Sequence, residues 1–162
     1  MGNYKGCSFT GHRRIEPRHT GLTELLDKAI AYAYSQDCRD FYIGGALGFD
    51  TFAARRTLAF RTFHPDVMVH LILPCKNQTE GWSESDRVIY DVILEAADTV
   101  EYIAETYYDG CMKKRNQRLV ELCDIMIAYM GRARSGAGQT VRLAKEAGKT
   151  VYNLYTKLEA EG

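Results

Sequence analysis

Phe41-Tyr42-Ile43-Gly44-Gly45-Ala46-Leu47-Gly48-Phe49-Asp50 carries an apolar triplet into a turn with glycine at three of five positions. The next run, Thr51 to Phe63, has helical spacing, and Pro65 closes it. A short strand that turns on glycine into a helix is the unit from which parallel α/β sheets are built. In this reading Asp50 stands in an N-cap position. Unpaired amides at the helix start, with glycines that allow close approach, suit Gly44, Gly45, Ala46 and Gly48 to a phosphate. Asp50 is also placed to accept from a ribose hydroxyl.

The same alternation extends in both directions. Upstream, Cys7 to Thr10 reads as a strand and Leu22 to Ser35 as a helix. Downstream, Val67 to Leu73 reads as a strand ended by Pro74. Ser83 to Ala97 reads as a helix with acids in its first turn. Asp98 to Ile103 and Asp124 to Tyr129 read as strands flanking a cationic helix from Met112 to Cys123. A helix from Gly138 to Ala147, stopped by Gly148, leads to a last strand, Thr150 to Leu154. The tail from Tyr155 to Gly162 is polar and reads as fraying. The expectation is one domain over residues 1–162. It is a Rossmann-like three-layer α/β sandwich around a mainly parallel sheet of about five to six strands, joined by right-handed crossovers. In such sheets ligands bind beyond the strand carboxyl ends, where the strand order reverses.

The loops after the strands therefore hold the candidate site residues. Thr10, Gly11, His12 and Arg13 follow the first strand and offer a hydroxyl, an accessible backbone, an imidazole and a guanidinium. Lys76 follows the third strand with Cys75, Gln78 and Trp82 nearby; Cys75 has no base partner and reads as structural. Lys113, Lys114 and Arg115 crowd the start of the fourth helix, against its dipole. A bound anion relieves that conflict, and Arg115 with Asn116 are its favoured holders. Ser135, Gly136, Ala137, Gly138 and Thr140 form a second phosphate cradle before the fifth helix. Asp50, Glu80 and His12 are the candidate acid–base side chains. His19, His64 and His70 read as incidental.

Composition sets the outer limits. Twenty-one basic and 21 acidic residues give zero formal charge over 162 residues, so no whole-protein field collects polyanions. Five cysteines, an odd number with no two-residue spacing, argue against a disulfide framework or a zinc knuckle and suit reduced thiols in the cytoplasm. No metal site is expected, and no cofactor beyond a nucleotide-type ligand. No apolar run reaches a bilayer's thickness, and Met1 to Gly6 lacks a charged-then-apolar leader. No Gly-Lys-Ser/Thr phosphate loop is present, which excludes nucleotide hydrolysis of that kind.

Thr10-Gly11-His12-Arg13 and Gly45-Ala46-Leu47-Gly48-Phe49-Asp50-Thr51-Phe52-Ala53-Ala54 carry a resemblance, together with Arg115-Asn116, Cys123 to Tyr129 and Gly136-Ala137-Gly138-Gln139-Thr140. The chain resembles the SLOG superfamily, named for Smf/DprA and Lonely Guy, and within it the YspA-like branch. The resemblance implies a pocket for a nucleotide or a nucleotide-derived molecule such as ADP-ribose or NAD, in a regulatory or sensing role, and a homodimer. It also brings two alternatives: phosphoribohydrolase-like N-glycosidase activity on a nucleoside monophosphate, and single-strand DNA binding like DprA. Lonely Guy enzymes carry Pro-Gly-Gly-x-Gly-Thr-x-x-Glu in the last loop, with a catalytic glutamate. Here Leu143 stands three residues after Thr140, and no carboxylate replaces that glutamate.

Overall fold

The computed structural model describes residues 4–161. Six parallel strands are β1 (Lys5–Gly11), β2 (Cys38–Ile43), β3 (Met68–Cys75), β4 (Thr99–Ala104), β5 (Ile125–Tyr129) and β6 (Thr150–Asn153). They alternate with α1 (Leu22–Ser35), α2 (Phe49–Phe63), α3 (Glu84–Ala96), α4 (Cys111–Leu122), α5 (Gly136–Glu146) and α6 (Leu154–Glu161). The sheet order is β4-β3-β2-β1-β5-β6. The chain first builds outward from β1 to β4, then returns across the sheet through α4 to lay β5 on the other side of β1. The order therefore reverses between β1 and β5, which share five paired positions from Cys7–Ile125 to Gly11–Tyr129.

Side-chain alternation divides the core into two layers. Cys7, Phe9, Ile125, Ile127 and Tyr129 join Leu26, Ile30, Phe49 and Leu158 in the larger cluster. Met126 faces the opposite way and packs with Val120, Cys123 and Ala144 beneath α4 and α5. Ser8 points to the α4 side as well, and its hydroxyl donates to the Leu119 carbonyl at 2.7 Å. β4 is an edge strand with Thr99 and Val100 exposed, and β2 leaves Arg39, Asp40 and Tyr42 half-buried, so burial on both faces is continuous in the central strands β1 and β5. All five cysteines are free and buried. Among the described residues no helix is long and apolar enough to cross a membrane.

Three local expectations are corrected. β3 runs through Pro74 to Cys75, because β2's pairing with β3 ends at Ile43–Leu71 and the missing proline N–H faces no partner there. Asp50 is not the N-cap of α2: Gly48 is, at φ 84°, and Asp50 lies in the first helical turn. The tail does not fray: residues 154–161 form α6, because Leu154 and Leu158 sit four apart and bury against the core. The N-terminal leader reading, for Met1 to Asn3, and the last tail residue, Gly162, fall outside the described residues.

Candidate anion-binding cleft

A cleft of about 300 Å3 opens where the strand order reverses. The end of β1 supplies Phe9, Thr10, Gly11, His12 and Arg13. The β2–α2 turn supplies Ala46 and Asp50. The inner face of α4 supplies Met112, Arg115, Asn116 and Leu119, and the β5–α5 loop supplies Arg132, Ser135, Gly136 and Ala137. Four segments distant in sequence thus meet at one point, as the switch in strand order requires.

Arg115 is the inner wall. It is only 6% exposed. Its Nη1 donates to the Gly44 carbonyl and its Nε to Asn116 Oδ1 at 2.8 Å. Nη2 has no acceptor among the described residues. Burial pulls its pKa below the usual value and the Asp50 carboxylate opposes that; an arginine remains a cation regardless. Asp50 is equally buried and accepts from the Ala46 N–H at 3.1 Å. Burial pushes its carboxyl pKa up, while Arg115 and the Ala46 N–H pull it back. A Cβ on Gly44 would lie 2.7 Å from Arg115 Nη1 and 2.9 Å from Asp50 Oδ2, so the glycine leaves room for both groups.

The N-terminus of α5 is the opposite wall. Ser135 caps it, accepting from the Gly138 N–H at 2.9 Å while its hydroxyl donates to the Arg132 carbonyl at 2.6 Å. The amides of Gly136 and Ala137 have no acceptor among the described residues. They stand at the positive end of an 11-residue helix. The Thr10 hydroxyl is likewise without a partner among the described residues. Arg13 and Arg132 are exposed at the mouth, and neither meets a carboxylate among the described residues. Donors and cations thus converge on one volume, which is the chemistry of an oxyanion site.

His12 organises this mouth. Its imidazole is 7% exposed, and its Nε2 accepts from the Gly131 N–H at 2.8 Å and the Arg132 N–H at 3.3 Å. Those bonds require a neutral ring with its proton on Nδ1. Burial, aided by the Arg132 cation, lowers its pKa. Tyr155 of α6 packs edge-on against both His12 and His19. His19 is not incidental: its Nδ1 lies 2.6 Å from the Tyr129 hydroxyl, which also accepts from the Glu16 N–H at 2.9 Å. His19, Tyr129 and Tyr155 form an aromatic buttress behind the β1 loop. The polar reading of the tail hid Tyr155's part in it.

Several expected site residues serve other ends. Gly48 allows the Arg13 carbonyl to pass against it, and Gly45 makes room for Leu73. The Phe49 N–H, at the head of α2, donates to the His12 carbonyl at 3.1 Å. Gly44, Gly45 and Gly48 therefore bring loops together rather than line the cleft; only Ala46 and Asp50 of that segment do. Gly138 is pressed against the Ala133 carbonyl. Thr140 is fully buried and its hydroxyl donates to the Gly136 carbonyl at 2.8 Å. Lys76 pairs with Glu105 at 3.0 Å on the surface, outside the cleft. Cys75 is buried and its thiol pKa is raised by burial. Arg132 and Met112 line the cleft without having been singled out, since nothing in their residue type separates them from Arg134 and Lys113.

The strand order and the donor-lined cleft at its switch point place the chain among Rossmann-like α/β domains. More narrowly, residues 3–156 match the YspA SLOG family, and the chain belongs to it. It is 31% identical over 157 residues to a UPF0398 protein of Bacillus thuringiensis, covering 90% of this chain and 85% of the relative. A UPF0398 protein of Halalkalibacterium halodurans is 28% identical over 136 residues, covering 77% of this chain and 72% of its own. Among solved structures, DNA processing protein A (DprA) of Streptococcus pneumoniae superposes with a TM-score of 0.65 at 17% identity over 93% of this chain. DprA of Helicobacter pylori, whose structure describes a single-stranded DNA binding mode, gives 0.63 at 24% identity over 91%. The chain spans 50% and 63% of those two DprA chains, and the likeness shows the shared fold.

Proposed function

We propose that the cleft binds the phosphate of a nucleotide or nucleotide-derived ligand such as ADP-ribose, in a sensing or regulatory role. The observation that carries this reading is the donor set without partners among the described residues, namely the Thr10 hydroxyl, Arg115 Nη2 and the Gly136 and Ala137 amides, on residues that line one cavity together with Arg13 and Arg132. A binding role is favoured over N-glycoside hydrolysis by the placement of the carboxylates. Glycosidic cleavage needs a carboxylate free to stabilise a cationic sugar or activate water. Asp50 is buried, accepts from the Ala46 N–H and sits in the field of the Arg115 cation, and Glu80 lines a separate groove.

Single-strand DNA binding has support in the fold shared with DprA, but a strand binder tracks several phosphates along a basic groove. The formal charge here is zero, and among the described residues the cleft rim carries only Arg13 and Arg132 as cations.

Thermal unfolding with inorganic phosphate, AMP, ADP-ribose, NAD and oligo-dT tests the reading. A ligand at 100 times its Kd stabilises the chain by about 2.7 kcal/mol. Stabilisation by AMP or ADP-ribose that weakens in Asn116→Ala, with no release of free base, supports a binding role. Absence of a shift with every phosphate-bearing compound rejects it.

A further inference from the structure

Beside the anion cleft lies a second groove of about 460 Å3, and the two share Arg13 and Met112 as a common wall. This groove is built from the loops that follow β3 and β4, away from the switch point. Trp82 and Tyr107 line it. Tyr90 meets the Trp82 ring edge-on at 5.4 Å and 88°, which props the indole against α3. Tyr107 is 57% exposed and has no aromatic partner among the described residues.

Two carboxamides are held in place between them. Asn77 Oδ1 accepts from the Tyr107 N–H at 3.0 Å, and its Nδ2 has no acceptor among the described residues. Gln78 donates to the Gly45 carbonyl at 3.3 Å, which ties this groove to the turn that carries Asp50.

The chemistry differs from that of the cleft. Glu80 lines the groove, and its carboxylate repels a second phosphate while accepting from an amine. Aromatic faces with oriented amides and one carboxylate recognise a planar heterocycle. The geometry points to a two-part ligand: a nucleoside monophosphate with its phosphate on the α5 N-terminus and its base, one bearing an exocyclic amine, in the Trp82–Tyr107 groove. The ribose crosses at Arg13 and Met112. This assignment rests on the nucleotide reading of the cleft.

Trp82 is the sole tryptophan, so its fluorescence reports on the groove alone. AMP is expected to quench it saturably, whereas ribose 5-phosphate competes for the cleft without quenching. Trp82→Ala and Tyr107→Ala should each weaken AMP by about tenfold, as loss of one stacking partner does. Both should leave ribose 5-phosphate unchanged by calorimetry, and Trp82→Phe should retain most of the AMP affinity. Circular dichroism confirms that each variant is folded. Ribose 5-phosphate binding as tightly as AMP, or AMP binding unchanged in both alanine variants, overturns the base groove while leaving the phosphate cleft standing. Failure of both ligands to bind rejects cleft and groove together. Quenching by oligo-dT at lower concentration than AMP assigns the groove to a nucleic-acid strand and overturns the mononucleotide.

Discussion

His12 Nε2 accepts from the Gly131 N–H at 2.8 Å, across 119 positions of sequence, so the loop after β1 holds the loop after β5. That bond exists only while the imidazole is neutral. The fold lowers the His12 pKa, chiefly through burial. The sign follows: above the unfolded-state value of about 6.5 both states are neutral and the bond contributes fully. As pH falls below that value the unfolded chain takes up the proton first, and the contribution is lost down to the folded-state pKa. Urea unfolding between pH 5 and 8 should show a decline below about pH 6.5 that is shallower in His12→Gln. Identical pH profiles for the two proteins contradict the clamp.

Arg115 and Asp50 are buried together around Gly44. Arg115→Met leaves the Gly44 carbonyl without its donor and Asp50 without its cation, and should destabilise by about 2–4 kcal/mol. The Asp50 carboxyl should then titrate higher still, as its NMR resonance against pH would reveal. Asp50→Asn in the same background should recover part of the loss. Strict additivity of the two substitutions would mean that the groups do not interact.

Glycines with similar sequence settings should respond in opposite ways. Gly136 has open space around it, whereas a Cβ on Gly138 meets the Ala133 carbonyl. Gly136→Ala should change the melting temperature little; Gly138→Ala should lower it markedly. Gly48→Ala combines a φ of 84° with a collision against the Arg13 carbonyl, and should cost more than the roughly 1–2 kcal/mol of left-handed backbone alone. Gly110→Ala, at φ 95° in open space, supplies that backbone-only reference.

Ser135→Ala removes the α5 cap and should cost about 1 kcal/mol, with restoration by Ser135→Asp in the absence of ligand. The aspartate also brings a negative charge to the cleft wall. It should therefore weaken phosphate binding even as it restores stability, a split that chemical denaturation and calorimetry read separately.

Leu158→Ala should destabilise by about 2–4 kcal/mol, since Leu158 packs into the main core from α6. A loss under about 0.5 kcal/mol, the range of an ordinary surface site, would mean that the tail does not dock.

The sequence reveals the sheet because each strand is a short apolar run punctuated by glycine, proline or a helix start. The switch point is harder to read, since strand order depends on α4 crossing the sheet and no local signal encodes it. Thr10, Arg115, Asn116 and Gly136 are legible as residues of the strand-end cleft because polar or glycine positions after strands stand where the sheet opens. Gly48 and Gly138 mislead for the same reason: a glycine that admits a phosphate and one that admits a neighbouring carbonyl look alike in sequence. α6 is hidden because two leucines among polar residues make a weak stripe. Its burial depends on Arg18, His19 and Tyr129, all far away in the chain.

The meeting of β1 and β5 at the cleft has a mechanical consequence. In the proposed binding mode, a ligand held by Thr10 on one side and by the α5 amides on the other would staple the two central strands together at their open ends. Occupancy should therefore raise the force, and the protease exposure, needed to breach the whole domain rather than secure one surface flap.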